Sequence, residues 1–237
     1  MDHVQAGEYD TALSIFQQIL YMNLANYGKS HPATASSYHN LGTVHTKRAN
    51  AAPEDSIEQL NCRAAALDCF QAAARAARDS LGHSHPNVAV SLVRVGFLLL
   101  QARHYNNAIV TFQEALRIRI AYFGPEHGLV ANLYNNLGVC SMHKGEFEQG
   151  RKYLEDALKI QRKLVESQER IDSSPKQGQN SEELSSHKLE LADTLFNIGG
   201  LCLEWIRQQG PDAQRAVEAE MAFSETLQIR EEVLGPT

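Results

Sequence analysis

The stretch from His85 to Glu126, HPNVAVSLVRVGFLLLQARHYNNAIVTFQEALRIRIAYFGPE, decides the fold. Leu92, Val95 and Leu99 recur at three- and four-residue spacings, which places them on one face of a helix. Gln101–His104 breaks the pattern. A second run with Ala108, Phe112 and Ala115 on one face follows, and Phe123-Gly124-Pro125 ends it. Pro86 stands where a first helical residue tolerates proline, because its missing N–H would be unpaired there anyway. Ser84 or His85 is placed to cap that end. The stretch is therefore a helical hairpin, and at His127 the pattern begins again.

Outward from this hairpin, three landmarks recur in register. A glycine turn followed by histidine appears at Gly28…His31-Pro32, Gly82…His85-Pro86 and Gly124…His127, with Gly235 as a last turn. An apolar-glycine pair appears at Leu41-Gly42, Val95-Gly96, Leu137-Gly138 and Ile198-Gly199. A bulky residue appears at Phe16, Phe70, Phe112, Leu154 and Phe223. Phe70 to Phe112 and Phe112 to Leu154 are each 42 residues, Phe16 to Phe70 is 54, and Leu154 to Phe223 is 69. The base period is 42, lengthened in two copies, and a fixed period of this size signals a stack of supersecondary units. Small residues twelve positions apart in the shorter copies (Gly96 with Ala108, Gly138 with Gly150), and their equivalents in the lengthened ones (Gly42 with Ala66, Gly199 with Ala219), predict close helix crossings.

The longer copies have their extra residues in low-hydrophobicity stretches. Ala49–Asn61, the Pro/Gly/Ser/Gln-rich segment Ser167–Ser186, and Gln208–Asp212 read as lengthened turns, the second as a disordered loop over approximately 168–186. The expected organisation is a single solenoid over 1–237, with units at about 1–30 (partial), 31–84, 85–126, 127–167 and 187–237.

Composition bounds the chemistry. The chain has 237 residues, 43% hydrophobic, with 22 basic and 28 acidic residues. There is no basic block to neutralise phosphates, so no nucleic-acid partner is expected. No apolar run approaches the roughly 20 residues that span a bilayer, and the N-terminus has neither the basic head nor the apolar core of a signal peptide. No membrane partner and a cytoplasmic location are the expectations. Cys62, Cys69, Cys140 and Cys202 form no CxxC pair and read as reduced, buried thiols. The histidines form no HExxH, and His31, His85 and His127 recur at helix starts as caps, so no metal is expected. No phosphate-binding glycine loop, dinucleotide fingerprint or nucleophile elbow occurs, and nothing pairs a nucleophile with a base. Neither a cofactor nor an enzyme activity is expected.

These residues resemble tetratricopeptide repeats of the 42-residue, kinesin-light-chain-like type. The likeness rests on His85-Pro86-x-Val88-Ala89, Val95-Gly96, His104-Tyr105-x-x-Ala108 and Phe112-x-x-Ala115-Leu116-x-Ile118-Arg119. It rests equally on Asn135-Asn136-Leu137-Gly138, Lys144-Gly145-Glu146-Phe147 and Leu154-x-x-Ala157-Leu158-x-Ile160. HEAT and armadillo repeats have a similar period but do not pair a mid-helix glycine with alanine twelve residues on. Arg94 departs from the asparagine found at Asn40, Asn136 and Asn197, and Gly150 from the usual alanine. The first copy lacks its first helix, which would leave an apolar face on Gly7–Tyr27.

The resemblance implies an all-α, right-handed solenoid of about four and a half repeats. In such a solenoid the first helices line a concave face that holds a protein or peptide ligand. The stripes pointing into that groove contain His39, Thr43 and Lys47; Val90, Val93, Phe97 and Leu100; Asn132, Asn135, Asn136, Val139 and Met142; and Asp193, Phe196 and Asn197. Val93, Phe97, Val139 and Met142 would supply apolar pockets, and Asn135 and Asn136 would hold peptide backbone, since an amide both donates and accepts. Recurrence of Asn40, Asn136 and Asn197 at one position fits peptide binding and inter-repeat hydrogen bonding alike. Two other roles fit the same repeats: the regulatory part of a larger signalling ATPase, and a scaffold that self-associates through its incomplete first repeat.

Overall fold

The computed structural model describes residues 8–172 and 181–235, and among these the secondary structure is helical with no strand. The helices are α1 (Tyr9–Tyr27), α2 (Pro32–Ala51), α3 (Ile57–Leu81), α4 (Pro86–Gln101), α5 (Tyr105–Phe123), α6 (Gly128–Lys144), α7 (Phe147–Asp172), α8 (Ser181–Gln209) and α9 (Ala213–Leu234). The chain divides into two compact units, Met1–Tyr122 and Phe123–Thr237. The division falls at the end of α5, within the last residues of the copy 85–126.

Histidine, rather than the neighbouring serine, starts the first helices. The Nδ1 of His31 accepts from the Ala33 N–H at 3.2 Å, that of His85 from Asn87 at 3.2 Å, and that of His127 from Leu129 at 3.1 Å. Each satisfies one of the donors that a helix start leaves free. Tyr27 stacks on His31 with ring centroids 4.5 Å apart, fixing the rotamer that caps. At the other end of the hairpin, Gly82 has φ 91°, a conformation that costs glycine nothing and ends α3.

The extra residues lengthen helices more than turns. The hairpin with the first insertion has helices of 20 and 25 residues, against 16 and 19 in the copy without it. Helix α7 runs 26 residues and α8 runs 29. The two ends of the expected disordered loop are thus helical. Gln168 is buried, and Leu184 packs against Val165, Leu191 and Leu195. Ordering those residues is offset by the apolar surface they bury, which composition alone does not reveal. Residues 173–180 of that segment, and residues 1–7 of the partial first repeat, lie outside the described residues.

In the first unit, Ala12, Leu13, Leu41 and Val44 form one cluster and Ala66, Phe70, Val95 and Leu98 another. In the second unit, Phe147, Leu154, Ile198, Leu201, Trp205 and Ala222 form the larger core. The atoms nearest the mid-helix glycines belong chiefly to the bulky landmark. A Cβ on Gly42 would lie 2.9 Å from Phe70, on Gly96 2.4 Å from Phe112, on Gly138 2.6 Å from Leu154, and on Gly199 2.7 Å from Phe223. At Gly138 the added atom would also meet the paired Gly150, at 3.1 Å from its carbonyl oxygen. Each hairpin thus closes over one large side chain seated in a glycine notch.

Candidate functional site

Helices α2 and α4 of the first unit line one cavity together with the end of α3. Between them lies a cavity of about 210 Å³, with Ser36, His39 and Asn40 from α2, Asn87, Val90 and Ser91 from α4, and Ala77 and Leu81 from the end of α3. Drug-sized ligand and cofactor pockets run about 300–1,000 Å³, so this one suits a side chain better than a cofactor. Its walls mix apolar carbons with hydroxyl, amide and imidazole groups.

His39 sets the chemistry of the cavity. Its ring meets Phe70 edge-on with centroids 5.1 Å apart. Burial, and secondarily the charge of Arg94, hold it below the ordinary histidine value of 6.5, so it is a neutral donor–acceptor at neutral pH. Thr43 turns its hydroxyl to the His39 carbonyl at 3.0 Å, inside its own helix. Lys47 is exposed one turn further on. Along α4, Val90 is 43% and Phe97 39% exposed, while Val93 and Leu100 are half-buried. Phe97 leans edge-on against Phe112 at 5.7 Å, which fixes its ring while leaving one face open.

The second unit uses its predicted residues differently. Asn197 donates to the Asn135 side-chain oxygen at 3.0 Å, tying α8 to α6. Asn132 donates to Glu190 at 3.2 Å between the same helices. Asn136 is buried, at 9% exposure. The recurring asparagines of this unit therefore sit within and between repeats. Met142 packs against the core of Phe147 and Leu154, and Val139 is half-buried. Phe196 is exposed and meets Phe223 edge-on at 5.5 Å. Arg230 lies over the Phe196 ring at 5.6 Å and pairs with Asp193 at 2.8 Å.

The structure also brings in residues outside the predicted stripes. Asn87 and Ser91 line the cavity in the first unit. Arg94 is exposed on α4 between Val90 and Phe97, and its register with Asn40 was the signal that could have placed it there. In the second unit, α7 and α9 flank a cleft of about 430 Å³ floored by Leu154, Leu158, Ile198 and Cys202 and edged by Val217 and Met221. Arg151 and Glu218, 2.8 Å apart, bridge the two helices there. This cleft lies between second helices, whereas the stripes predicted from sequence lie on first helices.

The thiols are free and quiet. Cys62, Cys140 and Cys202 are buried and Cys69 partly so. Burial pushes Cys140 up to about 12, and Cys69 and Cys202 up to about 11, so all three stay protonated at neutral pH. Among the described residues no group of three or more His, Cys, Asp or Glu could hold a metal, and no helix is long and apolar enough to cross a membrane.

Comparison with known proteins settles the class. Family models of the tetratricopeptide repeat match residues 1–54 and 55–121, and another matches 131–164. The chain belongs to the tetratricopeptide repeat family, an all-α helical-repeat solenoid fold that is typically a non-enzymatic module and generally mediates protein–protein interaction. Its fold is shared by solved kinesin-light-chain-like repeat structures. A solved structure of BtubC (BKLC) from P. vanneervenii superposes with a TM-score of 0.73 at 18% identity, covering 99% of this chain and 78% of that one. A putative kinesin light chain from Podosopora anserina, with nearly identical TPR-like repeats, gives 0.67 at 15% identity, covering 99% and 92%. A clustered mitochondria protein homolog from Candida albicans (strain SC5314 / ATCC MYA-2876) is 22% identical over 162 residues, which are 68% of this chain and 11% of that protein. The chain thus spans about a tenth of the length of that relative.

Proposed function

We propose that the chain is a cytosolic, non-catalytic scaffold or adaptor module that holds a peptide segment of a partner protein against its first helices. The observation that carries this reading is the α2–α4 face. There a side-chain-sized cavity, a neutral His39, Asn40 and Asn87 amides, and the exposed Val90 and Phe97 stand together. Apolar anchors beside a few polar groups are what recognition of an extended segment requires. In the second unit Asn132, Asn135 and Asn197 are already engaged in side-chain hydrogen bonds.

The test is Val90→Asp, which replaces an exposed apolar anchor by a carboxylate without touching the buried core. Capture of the native partner should fall at least about tenfold, since the apolar contact is lost and a carboxylate is desolvated on binding, together more than the 1.4 kcal/mol that factor represents. The melting temperature should stay within a few degrees. Undiminished capture by a folded Val90→Asp chain would end this reading.

One observation favours self-association as a second reading. Ile15, Ile19 and Met22 form an exposed apolar stripe on α1. The last two occupy the register of Ala73 and Ala76, Ala115 and Ile118, and Ala157 and Ile160, all buried. Light scattering of Ile19→Glu against the parent chain decides it: a mass that halves supports association there, and an unchanged mass removes it.

A further inference from the structure

The second helices of the second unit carry a surface that the first-helix reading does not use. Helices α7 and α9 are joined by two ion pairs, Arg151 with Glu218 at 2.8 Å and Arg162 with Glu225 at 3.1 Å. The second pair lies further along both helices, so the two run side by side in the same direction. The cleft of about 430 Å³ lies between them. From Arg151 to Arg162 the rise along α7 is roughly 16 Å, about three turns. The floor is apolar, with Leu154, Leu158, Ile198 and Cys202. Cys202 stands where the copy 85–126 has Leu99, and its smaller side chain deepens the floor. Val217 and Met221 form the α9 wall and are 55% and 67% exposed.

Two features define the occupant. The walls and floor belong to helices, whose backbone groups bond within themselves, and the floor side chains offer almost no donors or acceptors. An extended segment seated there would leave its own amides unpaired, whereas a helix satisfies its own. Apolar side chains three and four residues apart on such a helix match the turns of α7 and α9. The second feature is charge. Arg151 also pairs with Glu155 at 2.7 Å, so two carboxylates share one guanidinium and that end keeps an excess negative charge. Arg162 and Glu225 balance one for one. Glu155 is 56% exposed, open to a cation from outside.

We infer that the α7–α9 cleft docks a basic amphipathic helix of a partner protein, with its apolar stripe on Leu158, Val217 and Met221 and a lysine or arginine beside Glu155. This surface is separate from the first-helix face and does not depend on that reading.

The experiment titrates fluorescein-labelled peptides of about 18 residues, long enough to form a helix, with the full chain and reads anisotropy. One peptide is an amphipathic helix with leucines on one stripe and lysines flanking it. A second has glutamine for lysine, and a third keeps the composition of the first with its leucines scattered. The parent chain should bind the first roughly tenfold tighter than the second, the scale of one charge-assisted contact, and the third more weakly than either. The lysine preference should shrink at high salt. Glu155→Gln should erase it, and Glu220→Gln, exposed on α9 outside the cleft lining, should keep it. The double variant Val217→Asn/Met221→Asn should lose at least roughly tenfold in affinity for the first peptide, with the melt unchanged because both side chains already face water. Val90→Asp should bind that peptide as the parent does, so this inference and the first-helix reading fail separately. Equal binding of the first peptide and either control, no binding at all, a lysine preference that survives Glu155→Gln, or affinity indifferent to the double variant overturns the inference.

Discussion

Replacing Gly96 by alanine destabilises the first unit by roughly 1–3 kcal/mol, the usual cost of overpacking a close crossing. In an open helix the same change stabilises by about 0.5–1 kcal/mol, because glycine loses more backbone freedom on folding. The sign reverses here because the new Cβ would lie 2.4 Å from the Phe112 ring, with two more ring atoms at 2.7 Å. Phe112 is fully buried, so the ring has no free volume to retreat into. Gly200→Ala is the control, since nothing lies within 4 Å of a Cβ there and the ordinary gain should appear. Urea midpoints of the two variants should move in opposite directions from the parent. Phe112→Ala alone should cost about 3–5 kcal/mol, and the Gly96→Ala/Phe112→Ala double should cost less than the two singles together, because the methyl enters the space that the ring leaves. A Gly96→Ala midpoint that rises with that of Gly200→Ala would show that the notch is not a close contact.

Trp205→Ala should cost the second unit about 3–5 kcal/mol, the range for emptying a large aromatic site. Trp205 is buried and stacked on Phe147 with centroids 5.3 Å apart and planes within 17°. The Arg215 guanidinium also lies over its ring, 3.9 Å from the centroid. Losing it removes one face of the cluster that contains Leu154, Ile198, Leu201 and Ala222. Trp205→Phe should lose much less, because a stack on Phe147 survives. The chain splits into two compact units, so one global unfolding energy is not assumed. Amide exchange read separately in α7–α9 and in α2–α4 measures the loss where it falls. A cost under about 1 kcal/mol in α7–α9 would mean that the cluster does not anchor this unit.

The period was legible because the same steric problem recurs at each hairpin: a bulky ring, a glycine opposite, and a turn that only certain residues cap. That fixed the order of the helices and the role of His31, His85 and His127. Which atoms filled each glycine notch was not legible. A spacing of twelve places two small residues near one crossing, but only coordinates show that the Phe112 ring takes the space beside Gly96. The ends of the expected loop were misread for a related reason. Ser, Gln and Glu favour disorder by composition, yet a few apolar residues such as Leu184 suffice to dock the helix. For the candidate site, helical spacing found the stripe of Val90 and Phe97, while the recurring asparagines fitted peptide binding and inter-repeat hydrogen bonding alike. It could not tell that Asn135 and Asn197 would satisfy each other.

The central claim is that partners are held on the first-helix face of the first unit, and a photocrosslinking residue tests it most directly. Placed at Val90 on α4, it reports on that face; placed at Val110 on α5, which is also exposed, it reports on a second helix. Adducts with the native partner should form at position 90 and be absent at 110. Adducts at 110 with none at 90 would contradict the account.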